Sequence, residues 1–494
     1  MTIDDSLQKN GSTTKIQQED VSKVAMTTIE EEKWNLEEKK MQYIDPVLEK
    51  RFLRKLDLRM VIWSFIASIS NFLNRNNMQN AFTMGMDKDL NLDSSVYNWT
   101  VTMFFIGYLI LQIPGNILIT KVPPRWVLPT CAVLWGTIVS VMPAVKDYQT
   151  LWGLRFVLGL AQAPYYPGVV FLFGSWYKKN ELAKRSMLVA AGVPLSGAVN
   201  GLISGAISKT MDGSAGLSSW RWLFIIEGVL GVLVGAFGYI LLPNFPHNTP
   251  WLTPEERQIA IARVQNQDMH VVSNTYSWKT VSNVLLRPYP WLMIIQGIGI
   301  GLCLTMIDYF AIILRDLSYP VDMANYMLTP LYIFGTFASI AIGWSSDKLG
   351  DRACHIGVSQ FAAAIWYMIL GAVNKGDNSS VLVFIGVYVA SLNMAMLTLC
   401  LTWLNEFYKV DHNTRAIAIA FINTMSVVIP NFINLKAWLV TDSPNFWAGK
   451  LTSMGCGFAS VLATIAIWFL LRKNIMLPEA TDKRDDESGV DLHA

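Results

Sequence analysis

Charge is scarce in this sequence. Asp, Glu, Lys and Arg together make up 15% of its 494 residues, against about 25% in an ordinary globular protein. So few charges cannot cover a water-exposed surface for a chain of this length. A secreted or cytosolic globular enzyme is therefore excluded, and most of the chain must be solvated by lipid. Net charge is equally scarce, since 39 Lys+Arg against 37 Asp+Glu leaves only +2. That excludes a nucleic-acid binder held by bulk positive charge. The five cysteines (Cys131, Cys303, Cys354, Cys400 and Cys456) are scattered through apolar stretches without a C-x-x-C pair, so neither a disulfide framework nor a zinc site is indicated. With five histidines, no Ser/His/Asp grouping, no metal-ligand cluster and no Gly-rich phosphate loop, covalent catalysis and a cofactor are not expected. The first 57 residues hold no apolar h-region, so no cleaved signal peptide is expected.

What the sequence has is length in apolar runs. Hydrophobic residues make up 52%, and mean hydropathy is +0.34. A membrane-spanning helix needs about 20 mostly apolar residues. Such runs fall near 59–84, 97–120, 126–145, 150–174, 186–208, 221–242, 289–314, 324–344, 355–374, 380–403, 415–437 and 451–471. The expected fold is an all-α membrane protein of twelve spans in two six-helix halves, 59–242 and 289–471. Between them lies a polar connector, 243–288, where Thr253-Pro254-Glu255-Glu256-Arg257 reads as a helix start, Thr253 capping and Pro254 fitting the first turn. Tails at 1–58 and 472–494 are polar and expected to be disordered. With the N-terminus inside, the inner segments outside the connector carry seventeen Lys/Arg and the outer loops seven, so both termini are expected on the cytosolic side. Two outer sequons, at Asn98 and Asn378, agree with that orientation, but Asn98 lies too near the membrane to expect a glycan.

Span eight runs into Gly343-Trp344-Ser345-Ser346-Asp347-Lys348-Leu349-Gly350-Asp351-Arg352. The pattern G-x-x-x-D-K-x-G-x-R closely matches the inter-helix signature of the major facilitator superfamily: a tight Gly turn with an acid and bases able to pin two helix ends. Its counterpart after span two, Lys121-Val122-Pro123-Pro124-Arg125, lacks the acid, as a decayed copy in a duplicated unit would. Further segments resemble one branch, the anion:cation symporters of fungal allantoate permease type. These are Asn71-Phe72-Leu73-Asn74-Arg75-Asn76-Asn77-Met78-Gln79-Asn80-Ala81, Gly107-Tyr108, Pro114-Gly115-Asn116, Arg155-Phe156, Pro167-Gly168, Trp220-Arg221-Trp222-Leu223-Phe224-Ile225-Ile226-Glu227-Gly228 and Trp403-Leu404-Asn405. Gly174 to Ser186 most resembles the yeast pantothenate and biotin transporters. The likeness covers about Leu56 to Leu471.

Arg75 and Arg155 sit inside spans, each in the outward half of its helix. A guanidinium at that depth costs at least ~2.5–3.5 kcal/mol and belongs in a wet cavity or against an anion. It also matches a carboxylate bidentately, as an ammonium does not. Two such groups on spans one and four form a candidate anion clamp, a role the resemblance also implies, although Arg155 is close enough to the outer end to snorkel. In the resembled family an Asp usually precedes the first Arg, and a Glu lies two turns beyond the second. This chain has the amides Asn74 and Gln162 there, which keep the shape but carry no proton. Two other intramembrane acids, Asp308 and Glu227, are candidate proton carriers. Asp308 has the alternative of capping a bend, and Glu227 that of pairing with Arg221. Trp403, Asn405, Asn393, Asn423 and Gln296 from the second half, and Tyr108 from span two, are candidate substrate contacts, with ligand-free interhelical bonds as the alternative. The glycines of span five, Gly192, Gly197, Gly201 and Gly205, with Pro194, read as mechanical. Gly343, Asp347, Lys348, Gly350 and Arg352 read as the gating loop.

The expected activity is secondary active transport of a small carboxylate-bearing organic anion by alternating access. A vitamin acid such as pantothenate leads, followed by biotin, nicotinate and allantoate. The expected partners are that anion, the bilayer and protons. No metal, cofactor or nucleic acid is expected, and the chain is read as a monomer of a fungal plasma membrane. Loss of the two expected acids also admits an uncoupled facilitator, or a transporter-shaped nutrient receptor.

Overall fold

A computed structural model describes residues 46–265, 282, 284–373, 380–407 and 412–473. Residues 1–45 and 474–494 of the tails, most of the connector after Gln265, Asn378 and Lys409 lie outside the described residues; the tail segment 46–58, expected to be disordered, is helical instead. Eleven helices among the described residues are long and apolar enough to cross a membrane, and Ser94–Lys121, 28 residues long, adds a twelfth in sequence position. In chain order the first half is α1 (Pro46–Asn76), α2 (Ser94–Lys121), α3 (Pro124–Ala144), α4 (Tyr148–Gly174), α5 (Lys179–Thr210) and α6 (Ser219–Leu241). The connector helix α7 is Pro254–Gln265. The second half is α8 (Pro288–Asp316), α9 (Val321–Leu349), α10 (Arg352–Val373), α11 (Ser380–Glu406), α12 (His412–Ala437) and α13 (Trp447–Arg472). One end of the bundle, the tail face, carries Pro46, α7 and Arg472; the opposite end is the far face.

Local chemistry sets the ends of these elements. Asp93 caps α2 by accepting from Val96 N at 2.8 Å, and Asp147 caps α4 in the same way through Thr150 N at 2.8 Å. At α7, Thr253 Oγ1 accepts from Glu256 N at 3.2 Å while Glu256 Oε2 accepts from Thr253 N at 3.0 Å. This is the reciprocal box that frees neither group to compete with the helix. Helix α9 stops at Gly350, whose φ of 64° a side chain would resist.

Without a hydrophobic drive between helices in lipid, close packing needs small residues. A Cβ on Gly107 of α2 would lie 2.1 Å from Phe156 O, and one on Gly159 of α4 would lie 2.0 Å from Phe104 O. The two backbones therefore touch at that level, fixing α2 and α4 around the site. Large apolar side chains that remain exposed, such as Phe237, Ile240, Phe337 and Leu462, form the face that lipid covers.

Among the described residues five spans are broken, α9 at Met327 and α11 between Ser391 and Met396, and three others next to a candidate site residue. The turn at Asn77 (φ −71°, ψ −9°) interrupts α1 just past Arg75, and the chain resumes as Met78–Ala81 and a π turn over Phe82–Met86. The first membrane helix thus begins well before the expected 59 and is not one uninterrupted rod. Helix α8 breaks at Tyr309, next to Asp308, and α4 breaks at Ala163–Pro164, next to Gln162. Unwound turns at membrane depth are tolerated where protein or a wet cavity satisfies them.

Candidate functional site

The breaks in α1 and α8 face one another across a cavity of ≈ 680 Å³ between its walls, mouth included, lined from the first half by Arg75, Gln79, Tyr97, Asn98, Phe104, Phe105 and Arg155 and from the second by Asp308, Tyr309, Asn431 and Asn434. Arg75 is seated among rings. Its guanidinium carbon lies 4.7 Å from the centroid of Phe105, 5.3 Å from Phe104, 5.6 Å from Phe72 and 5.7 Å from Tyr108. Desolvated cation–π contacts of this kind are worth up to about 2 kcal/mol each, and they occupy the faces of the group rather than its N–H donors. Among the described residues no side-chain hydrogen bond or ion pair uses those donors. Tyr108 thus serves Arg75 from beneath.

Arg155 is 1% exposed, so it does not snorkel to the interface. Its Nη2 donates to Asn77 Oδ1 at 2.9 Å and its Nη1 to Arg75 O at 3.3 Å. Asn77 Nδ2 in turn donates to Glu227 Oε2 at 2.8 Å. One amide at the α1 break therefore holds a buried cation on α4 and a buried acid on α6. The alternative pairing of Glu227 with Arg221 does not form. Arg221 lies over the Trp220 ring at 4.4 Å and 4.0 Å from Asp89, one turn and a half nearer the far face. Glu227 Oε1 and Arg155 Nε have no hydrogen-bond partner.

Asn74 and Gln162 are both buried, but the cavity lining does not include them. Gln162 Nε2 donates to Asn71 O at 3.2 Å; neither polar atom of Asn74 has a partner. Both lie in the packed interior of the first half, Gln162 against α1 and Asn74 against α6, where a Cβ on Gly231 would lie 3.3 Å from Asn74 Nδ2. In the second half, Trp403 is buried in a separate apolar cluster with Tyr289 and Leu404. Asn405 is exposed at the tail-face end of α11, and Asn423 is half-buried two turns from Asn431. None of the three lines the cavity. Gln296 spends its amide on Thr464 at 2.6 Å, and Asn393 accepts from Gln360. Both follow the interhelical alternative.

The far end of the cavity is closed by polar links between the halves. Asn80 Nδ2 donates to Asn325 Oδ1 at 2.8 Å and to Ser204 Oγ at 2.7 Å. Arg315 bonds Asp87 at 2.9 Å and Phe82 O at 3.1 Å. Asn98 is buried here, donating to Asn434 O and Trp438 O at 2.9 Å each and accepting from Tyr309 Oη at 2.7 Å; it is a cross-half strut and not a glycan acceptor. Gly197, Gly201 and Gly205 of α5 lie against Tyr332, Thr329 and Tyr326, while Gly192 lies against Ser68 of α1.

Two halves packed around a central polar cavity, with helices broken at its level, agree with what comparison shows: residues 64–433 match the family described as Major Facilitator Superfamily. The chain belongs to that superfamily. It is 26% identical over 463 residues, 91% of this chain and 89% of the other, to the MFS-type transporter cnsO of Penicillium expansum. It is 24% identical over 433 residues, 85% and 84% of the two chains, to the pantothenate transporter FEN2 of Saccharomyces cerevisiae. Among solved structures, a bacterial homologue of the human lysosomal transporter Spinster covers 85% of this chain and 97% of its own with a TM-score of 0.66 at 14% identity. A D-xylose–proton symporter covers 84% and 97% with a TM-score of 0.63 at 17% identity. These confirm the all-helical superfamily fold of a multi-pass membrane transporter, not an enzyme.

Within that superfamily fold the signature loop becomes concrete. Arg352 reaches Asp347 at 2.5 Å, Glu406 at 2.9 Å and Ser346 Oγ at 3.1 Å, tying the ends of α9, α10 and α11. Lys348 lies over Trp344 at 5.1 Å, and Gly343 faces open space. Sequence reasoning missed Glu406 here, and it missed Gln79, Asn431 and Asn434 at the cavity and Asn77 buried behind its wall. Asn77 and Gln79 stand inside the quoted α1 motif, two and four residues from Arg75, so a strict reading of polar residues flanking that Arg was the available signal.

Proposed function

We propose that this chain is a secondary active carrier moving a small carboxylate-bearing organic anion by alternating access, with pantothenate the leading substrate and biotin, nicotinate and allantoate the next. The observation that carries this reading is Arg75: a guanidinium fixed on four rings at the wall of the cavity, its donors unspent. A carboxylate docked there gains paired charge-assisted bonds. Arg155, on the same wall, adds positive potential. The yeast relative named for pantothenate supports the substrate class, and the α1 motif supports a place in the anion:cation symporter branch. With the tail face cytosolic, the sealed far end makes this the inward-facing half of the cycle, in a monomer of the plasma membrane.

Proton coupling completes the reading. Asn74 and Gln162 cannot titrate, so the proton falls to an acid elsewhere. Glu227, joined to Arg155 through Asn77, is placed to respond when an anion draws on that arginine. The absence of acids at positions 74 and 162 favours, as second reading, an uncoupled facilitator of the same anions.

The test is uptake of labelled pantothenate, biotin, nicotinate and allantoate into transporter-deficient yeast, at acid and neutral outside pH, with and without protonophore. Wild type and Arg75→Ala are compared. Concentrative uptake of one acid, lost with Arg75→Ala and collapsed by protonophore, is the expected result. Uptake that equilibrates and ignores protonophore selects the facilitator. Uptake of none of these acids sinks the substrate class.

A further inference from the structure

The cavity presents two opposite charges that feel each other across it but are joined by no hydrogen bond or ion pair. Arg75, from the first half, is in contact with the faces of four rings. Asp308, from the second half, is exposed into the same cavity. Among the described residues its carboxylate takes part in no hydrogen bond and no ion pair. What holds Asp308 in place is its backbone: with the Gln79 carboxamide turned to satisfy both of its ends, its nitrogen donates to Asp308 O at 2.6 Å and Ile307 O at 3.3 Å. The break at Tyr309 follows directly. The side chain is thus presented to the cavity by a fixed main chain, with nothing spent on it.

A ligand bearing only a carboxylate would satisfy Arg75 and bring its negative charge into the same small space as Asp308. Like charges in a poorly screened cavity repel more strongly than they do in water. A ligand that also carries a hydrogen-bond donor or a cation away from its carboxylate satisfies both walls and removes that repulsion. The rings of Phe104, Phe105, Tyr97 and Tyr309 suit an apolar stretch between the two polar ends.

We propose that the substrate is bipolar, a carboxylate at one end and a hydroxyl, N–H or ammonium donor at the other, and that Asp308 is the specificity-determining residue that receives the donor end. This rests on the carboxylate reading of Arg75 above and deepens it. It also gives the two halves distinct jobs, since one recognises the acid and the other the donor. A bipolar ligand would draw them together, as alternating access requires.

The test uses the full-length protein in proteoliposomes and three acids of equal length: hexanoate, ω-hydroxyhexanoate and ω-aminohexanoate, with hexylamine as the amine-only control. Binding is read by thermal stabilisation and by competition with uptake. Wild type should prefer the hydroxy and amino acids over hexanoate by about tenfold, the scale of a charge-assisted hydrogen bond. Asp308→Asn should erase the preference for the amino acid while still binding hexanoate, which doubles as its control for folding. Asp308→Glu should restore the preference. Equal affinity for the three acids in wild type, or a preference that survives Asp308→Asn, overturns the proposal and leaves the carboxylate reading standing. An Asp308→Asn variant that keeps the preference but loses pH dependence also overturns it, assigning Asp308 to the proton. Binding of hexylamine but of no acid overturns the carboxylate reading itself.

Discussion

Asn77 donates to Glu227 across 2.8 Å, and that carboxylate's other oxygen has no hydrogen-bond partner. Because Asn77 also accepts from Arg155 at 2.9 Å, the amide is the one joint between a buried cation and a buried acid on three different helices. Glu227→Gln should preserve packing and uptake while flattening the pH profile and abolishing protonophore sensitivity. Asn77→Leu strands two buried polar groups, at ~1–3 kcal/mol each, and should lower the melting temperature clearly. In the double variant the two losses should be less than additive. A Glu227→Gln protein whose uptake still collapses with protonophore, as wild type is expected to do, would remove Glu227 from the coupling mechanism.

The far-face seal makes a separate prediction. A Cβ on Gly201 would lie 2.8 Å from Thr329 Oγ1 and 2.9 Å from Asn325 O, so a branched side chain there cannot coexist with the closed far end. Gly201→Val should wedge the halves apart, and Asn325→Ala should act in the same direction by removing the bond to Asn80 at 2.8 Å. Losing one such bond is worth about 1 kcal/mol, roughly a fivefold shift in a two-state population. The check is labelling of Val101→Cys, a cavity-wall position, by an impermeant thiol reagent from the far side in a background without the native cysteines. Labelling should rise for both variants. Unchanged labelling would mean that these contacts do not hold the gate.

Much of this protein is written in periods and depths that single residues reveal. Apolar runs and the Thr253 box locate the helices because lipid and capping act locally. Arg75 and Arg155 announce themselves because a guanidinium in a span is costly anywhere. The partners are another matter. That Asn98 is a strut to Trp438 and Tyr309, and not a surface sequon, depends on which helices meet across the pseudo-symmetric interface, and no local pattern encodes that. The same holds for Glu227, whose partner is an amide on α1 and not the arginine six residues away in its own motif. Trp403 and Asn405 belong to a motif that reads as binding chemistry, yet their depth along α11 puts them at the tail-face end, below the cavity. Motif membership carried no information about depth.

The signature loop should govern rate more than stability. Arg352 is the shared partner of Asp347 and Glu406, whose side chains are 66% and 48% exposed; exposed pairs contribute at most about 1 kcal/mol each. Arg352→Ala should therefore cost little in melting temperature, yet it unties three helix ends that must move together. Uptake should fall several-fold in maximal rate with KM nearly unchanged. Arg352→Lys should rescue poorly, since an ammonium lacks the planar fork that serves two carboxylates at once. A raised KM at unchanged maximal rate would instead place this loop in substrate binding.

The connector helix is docked on the first half by ionisable groups, and its attachment should be acid-sensitive. Glu256 on α7 pairs with Lys55 of α1 at 2.7 Å and accepts from Thr253 N at 3.0 Å. Partial burial alone would raise its pKa, but the Lys55 bond and the Thr253 amide outweigh it and hold the carboxyl below the usual carboxylate value. A depressed folded-state pKa means that the unfolded or undocked form binds the proton more readily. The stabilisation is then fully present above the ordinary carboxylate range and is lost as pH falls through the folded value. Arg263 reinforces the dock: it is 2% exposed and reaches both Glu49 and Glu181, so removing it takes away the cation that these two acids share. Protection of α7 against hydrogen exchange, taken relative to the intrinsic amide rate at each pH, should be high at neutral pH in detergent-solubilised protein and fall on acidification below the carboxylate range. Glu256→Gln should already be less protected at neutral pH and show a smaller further loss. Protection that is high and identical at all these pH values would show that apolar packing, not this charged pair, holds the connector in place.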